Sequence, residues 1–335
     1  MAVTIKDVAR KANVSISTVS RVINDSKPVS DEIRQRVLKV IEELGYTPNP
    51  VARSLVMKKS QLIGVIVPNI SNYFIGEMLN GVEEIGKMYN YDILLCNSYG
   101  ELEQELKYLS LLKSKQVEGI IFMTWNLKKE HKEFLEKIDI PVVMINRNTS
   151  DINIPSVCID HFGAAYEMTN YLINKGHKKI ALIRTGIGND AFGVDQYKGY
   201  TKALKEHNIE IDESLIKNGD FKLEKAYDSV VEMIKNNNLP TAIFATSDYM
   251  AIGAMNALID NGFKVPDDVS VVGFNDIKLA SMYRPKLTTI KQPIYDIGAV
   301  AIRIIIKKIK GEEEDKTLFV LPHELIERDS CRSLV

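Results

Sequence analysis

Three cysteines in 335 residues, Cys96, Cys158 and Cys331, lie too far apart for a disulfide framework, and none stands in a CxxC pair or at ligand spacing from a histidine. The five histidines are scattered, which removes a zinc site, and His177 in "KGHKKI" reads as a turn residue rather than a catalytic base. No GxSxG, GxxxxGK[ST] or HExxH motif is present. The expectation is a protein that is not an enzyme and needs no metal or cofactor. Nowhere do about 18 uncharged apolar residues run together, and the start "MAVTIKDVARKANVS" spaces charges where a signal peptide needs an apolar run. A cytoplasmic protein without a membrane segment is expected. What remains, 45% apolar and 26% charged, is the composition of a globular chain with room for two or three domains.

A net charge of −1 conceals an asymmetry. Residues 1–60 hold six Lys and five Arg against three Asp and three Glu, a basic head of +5, so the remaining 275 carry −6. That pairing suggests a module for a polyanion joined to one that is not.

Local signals divide the head. Thr4 with Asp7 three residues later can cap a helix, and Ile5, Val8, Ala9 and Ala12 follow at helical spacing until Asn13 interrupts. Ser15 with Thr18 marks a second start, with an apolar stripe at Ile16, Val19 and Ile23. The third helix has Ser30 as cap, acids in its first turn, apolar Ile33, Val37, Val40, Ile41 and Leu44, and Gly45 as terminator. Helix, tight turn, helix and supporting helix form a helix-turn-helix, whose second helix enters the major groove. Its short hydroxyls permit close approach. Ser15, Thr18, Ser20 and Asn24 are candidates for phosphate oxygens, and Arg21 is the candidate reader of a guanine edge.

"TIKDVARKANVSISTVSRVIN" followed by "GYTPNPVARSL" resembles the signature of the lactose-repressor and galactose-repressor family of bacterial transcription regulators. The resemblance implies base contacts by Ile16, Ser17 and Arg21, with Thr4 also at the DNA. It also implies that "NPVARSLVM", by itself a short linker marginal as a free helix, becomes a hinge helix when two subunits meet on operator DNA. Leu55 would then wedge into the minor groove beside Ala52 and Arg53 and kink the duplex. Homodimerisation on a pseudo-palindromic site follows.

From Leu62 onward β-rich runs alternate with amphipathic stretches: "LIGVIVP", "YDILLCNS", "GIIFMT", "PVVMIN", "SVCID", then "KIALIR", "TAIFAT" and "SVVGFND". This pattern predicts parallel sheets covered by helices, in two α/β lobes. The expected organisation is a helix-turn-helix domain over 1–48, a hinge over 49–60 and a two-lobed body over 61–335. The first lobe takes about 61–160 and 292–320, the second about 161–291 and 321–335. The family resemblance implies a periplasmic-binding-protein fold for this body. A cleft between the lobes is its natural ligand site, with Asn69, Ser71, Asn275 and Asp276 on loops there.

Two features bear on control. Sugar- and purine-responsive relatives carry an arginine where "VDQYKGY" has Gln196, which weakens the case for a small effector, although Arg184 or Lys198 could compensate. "GKMYNYDILLCNS", "KQVEGIIFM" and "PIYDIGAVAIR" resemble the family's global carbon regulators, whose corepressor is the phosphocarrier HPr phosphorylated on a serine. Helical spacing places Asp296, Ala299, Val300, Arg303 and Lys307 along one face, with two cations a turn apart suited to a phosphoserine. The resemblance adds Tyr295, and from the helix near 77–88 it adds Glu77, Glu84 and Met88. The residues leave open a sugar phosphate as a modulator of the cleft, or a nucleoside or sugar effector in its place.

Overall fold

The computed structural model describes residues 3–25, 27–47, 60–146, 152–185, 191–312 and 316–335. They form two units, residues 1–61 and 62–335. The first contains α1 (Ile5–Ala12), α2 (Ile16–Asn24) and α3 (Asp31–Leu44). Asp7 accepts the Thr4 N–H at 3.0 Å and the Thr4 O–H at 2.6 Å, closing the N-terminus of α1. Asn13 ends α1 in the left-handed region with φ 53°, and Gly45 ends α3 with φ 60°. Val8, Ala9, Ala12, Val19, Val22, Val37 and Val40 form the core. The stripe on α2 is therefore Val19 and Val22 with half-buried Ile23. Ile16 is not part of it: at 45% exposure it projects to solvent.

The second unit opens with β1 (Leu62–Val67), α4 (Tyr73–Met88), β2 (Asp92–Asn97), α5 (Leu102–Ser114), β3 (Gly119–Phe122), α6 (Lys129–Leu135), β4 (Val142–Ile145) and β5 (Ser156–Ile159). It continues with α7 (His161–Asn174), β6 (Ile180–Arg184), α8 (Ala191–Glu206), β7 (Ile216–Asn218), α9 (Leu223–Lys235), β8 (Ala242–Ala245), α10 (Asp248–Asp260), β9 (Ser270–Asn275), α11 (Lys278–Met282) and β10 (Thr288–Lys291). Last come α12 (Ile294–Ile309), β11 (Leu318–Leu321) and β12 (Glu324–Ile326). One sheet has the order β11-β5-β4-β3-β1-β2 and is parallel throughout. The other, β12-β10-β9-β8-β6-β7, is parallel except for the β10–β12 pair. The central strands are buried on both faces, which is why they read as continuous Ile and Val runs. The chain crosses between the lobes after β5, after β10 and between β11 and β12, so neither lobe is one continuous segment.

On the first lobe α4 and α12 pack at backbone contact. A Cβ at Gly298 would come 2.0 Å from the Met78 carbonyl oxygen, and one at Gly81 would come 2.1 Å from that of Tyr295. Gly298→Ala is expected to force the helices apart and cost about 1–3 kcal/mol, measured from urea unfolding. Gly76→Ala, with nothing within 4 Å of the added carbon, is expected to be neutral or stabilising by up to about 1 kcal/mol.

In the second lobe Asp248, fully buried at the start of α10, accepts the Ile277 N–H at 2.8 Å and the Thr289 O–H at 2.6 Å. Burial pushes its carboxyl up to about 7. The folded state thus holds a proton here that the unfolded chain has released, so this group's contribution falls as pH rises from about 4 to about 7. Urea midpoints at pH 5 and pH 7.5 check this: the advantage of the native chain over Asp248→Asn is expected to shrink at the higher pH.

Candidate nucleic-acid interface, helix face and cleft

With Val19 and Val22 turned inward, α2 presents Ile16, Ser17, Ser20, Arg21 and Asn24 along its outer side. Ile16, Ser17 and Arg21 are exposed, while Ser20 and Asn24 are half-buried. Arg21 stands in the last turn, where the helix dipole favours a cation. It can swing into a groove without breaking a buried contact. Ser15 opens α2, as its spacing to Thr18 predicts. Its hydroxyl caps α2, accepting the Thr18 N–H at 3.1 Å, and bonds the hydroxyls of Ser17 at 2.7 Å and Thr18 at 2.8 Å. The Thr4 hydroxyl is likewise engaged with Asp7, and Asn24 donates to Ser20 Oγ at 3.2 Å. Arg34 pairs with Asp25, the left-handed residue that ends α2, and so ties that end to α3. Ala52, Arg53 and Leu55 lie outside the described residues.

On α12 the expected face divides in two. Asp296, Arg303 and Lys307 are exposed and Val300 is half-buried. Ala299 is 2% exposed, packed where α12 touches α4 at Gly81, and is unavailable to a partner. Helical spacing put it on the outer face; the close approach of α4 buries it. Tyr295 donates to Glu84 Oε2 at 2.8 Å, joining the two helices, and that bond raises the phenol's pKa. Glu77 accepts from Asn80 Nδ2 at 3.3 Å, and Met88 is 70% exposed at the end of α4. Among the described residues Arg303 has neither a hydrogen bond nor an ion pair, so its guanidinium is available.

The cleft gathers only part of the expected set. Asn69 and Ser71 line an outer mouth of about 560 Å³, with the Asn69 side chain accepting the Ser71 N–H at 3.0 Å. Asn275 lines a deeper chamber of about 30 Å³ and accepts from Gln292 Nε2 at 2.6 Å. Asp276 lines neither; it is held 2.7 Å from Arg328 as a half-buried ion pair. Of the two cations that could compensate for Gln196, one is exposed and the other buried. Lys198 is largely exposed and lies 3.5 Å from Asp195, while Arg184 lies over the Tyr197 ring at 4.8 Å. Sequence reasoning missed Trp125, Phe221 and Tyr249 in the walls. The run "GIIFMT" ends one residue before Trp125 and could have flagged it; β7, a three-residue polar strand before Phe221, carries no such signal.

Comparison with known proteins matches residues 4–49 to bacterial regulatory proteins of the lacI family, and residues 60–329 to the periplasmic binding proteins and sugar binding domain of the LacI family. The chain is 45% identical over 331 residues to the HTH-type transcriptional regulator RegA of Clostridium saccharobutylicum, covering 98% of this chain and 99% of that one. It is 42% identical over 332 residues to catabolite control protein A of Priestia megaterium, covering 99% and 100%. Among solved structures it is similar to the lac repressor dimer bound to operator and an anti-inducer, with a TM-score of 0.91 and 27% identity over 99% of this chain and 100% of that one. Among the described residues no helix is long and apolar enough to cross a membrane. The chain belongs to the LacI family of bacterial regulatory proteins and is a transcription regulator, not an enzyme.

Proposed function

We propose that this regulator binds a pseudo-palindromic operator as a homodimer and controls carbon catabolite genes, with serine-phosphorylated HPr as corepressor. In this reading α2 of each subunit enters a major groove, with Arg21 bonding a guanine edge and Ile16 and Ser17 beside it. The hinge residues Ala52, Arg53 and Leu55 occupy the minor groove at the centre, and Leu55 wedges the base step open. Corepressor bound at Arg303 and Lys307, beside Tyr295, Asp296, Val300, Glu84, Glu77 and Met88, favours the subunit arrangement that fits DNA. Partner and operator then strengthen one another equally.

The observation that carries the corepressor assignment is Arg303, exposed and unpaired among the described residues on a helix whose other faces are anchored, in a chain similar to a catabolite control protein A. The test is a titration of full-length protein with operator in the presence of serine-phosphorylated or unphosphorylated HPr. Enhancement by the phosphorylated form alone is expected; indifference to both overturns the corepressor assignment.

The open mouth supports a second reading, a local repressor governed by a small sugar or nucleoside in the cleft. A sugar phosphate modulating an HPr-dependent regulator would use the same mouth. Calorimetric titration with sugars and nucleosides in the absence of DNA separates these readings: tight binding favours the local repressor.

A further inference from the structure

The outer mouth and the inner chamber of the cleft share Asn72, Trp125 and Phe221 in their walls. Trp125 follows β3 of the first lobe, and Phe221 follows β7 of the second. Their rings stack across the cleft with centroids 4.3 Å apart and planes at 23°. The pair thus stands between the mouth and the chamber, and joins one lobe to the other.

Both lobes hold the rings in place by unusual local structure. Asp220 and Phe221 are consecutive residues in the left-handed region, with φ 49° and 55°, a conformation that side chains disfavour. Asp220 is fixed there: its N–H donates to Asn218 Oδ1 at 3.1 Å and its carboxylate pairs with Lys225 at 2.8 Å. Opposite, Trp125 lies against Gly100, where a Cβ would come 2.6 Å from the indole. The Gly100 N–H donates to Ser98 Oγ at 3.2 Å, and the Ser98 and Thr124 hydroxyls donate to the two oxygens of Glu105 at 3.3 and 3.0 Å. Glu105 is 1% exposed and lies 2.9 Å from His131 Nε2. The loops on either side of the indole are therefore pinned to one buried carboxylate.

Behind the rings, the chamber's polar groups are incompletely satisfied. Among the described residues, Gln196 Oε1, Thr246 Oγ1, Gln292 Oε1 and Asn146 Oδ1 are buried without a hydrogen-bond partner, on residues 2–6% exposed. Unpaired buried polar atoms are costly, and the three amide oxygens call for a hydrogen-bond donor. Yet about 30 Å³ has room for about one water, whereas small-molecule sites run from about 300 Å³ upward.

We propose that Trp125 and Phe221 form an interlobe gate. Stacked, the two rings latch the lobes together and keep the chamber at a size that admits water but no larger solute; a ligand rich in hydroxyl or N–H donors enters only when the stack breaks and the lobes part. An aromatic pair of this kind biases the closed form by about 2- to 10-fold, and any chamber ligand binds more weakly by that factor. The gate stands independently of the corepressor assignment, because it involves neither α12 nor HPr.

The experiment reads access to the chamber in the full-length chain. Thr246→Cys puts a thiol in the chamber wall, and its labelling rate with a small methanethiosulfonate is followed by peptide mass spectrometry. Buried Cys331 is the internal control for global opening. Adding Phe221→Ala, or Trp125→Ala from the other lobe, is expected to raise labelling at position 246 by about 2- to 10-fold with the rate at Cys331 unchanged, and Phe221→Tyr is expected to restore the slow rate. Trp125 is the single tryptophan, so acrylamide quenching of its emission is expected to increase in Phe221→Ala as well. Unchanged labelling in both alanine variants overturns the gate. So does an equal rise at Cys331 in both, which would make the stack a contact for overall stability only.

Discussion

Replacing Arg303 with alanine is expected to abolish the enhancement of operator binding by serine-phosphorylated HPr while leaving binding without HPr unchanged. The side chain is exposed and makes no hydrogen bond or ion pair among the described residues, so its removal leaves no buried group unsatisfied. Its backbone lies in α12, which Ile302, Ile304, Ile305 and Ile306 hold in the core regardless of residue 303. A phosphoserine carries nearly two negative charges and three acceptor oxygens, and a guanidinium meets it with paired N–H bonds. Losing such a charged bond costs about 1.5–3 kcal/mol, roughly 10- to 150-fold in corepressor affinity. Arg303→Lys keeps the charge but loses the fork and is expected to recover part of the effect. The readout is operator affinity at fixed salt, with and without the phosphorylated carrier. Enhancement that survives Arg303→Ala would move the corepressor elsewhere.

Arg21→Ala is expected to weaken specific binding by about 1–3 kcal/mol per half-site and to relax preference at one base pair of each half-site. A dimer carries the change twice, so the measured loss approaches twice the single-contact value if the half-sites act independently. Arg21 stands outside the core formed by Val19 and Val22, and its replacement should leave the unfolding midpoint of residues 1–61 unaltered. Binding to a panel of operators substituted one base pair at a time, at constant salt, identifies the position read. A uniform loss across the panel would instead assign Arg21 to a phosphate.

How far the sequence could be read varied with how local the causes were. Caps are local: Asn13, Ser15, Ser30 and Gly45 each punctuate a helix within a few residues, and the helix-turn-helix could be drawn from them. Strands buried on both faces, such as β1, β3, β4, β5, β6, β8 and β9, announce themselves as apolar runs, and β2, half-exposed at a sheet edge, is still marked by "ILLC". β7 is not legible in this way, because "IKN" is three residues long and carries a single apolar side chain. Side-chain direction on α12 was right for Arg303 and Lys307 and wrong for Ala299, since periodicity describes one helix and Ala299 is buried by another. Asp276 stands apart from the cleft for a related reason: a polar side chain on a loop reads as available until its partner, here Arg328, is known.

The chain's order of residues therefore determined by itself the class of protein, a helical reader of DNA joined to two parallel-sheet lobes, because turn chemistry and hydrophobic period act over a few residues. Only the tertiary structure decided which side chains remain free. Glycine contact between α4 and α12 withdrew Ala299 and left Arg303 exposed, and the meeting of β3's end with β7's end set Trp125 against Phe221, 96 positions apart. Those outcomes depend on distances between segments remote in sequence, which no local pattern encodes.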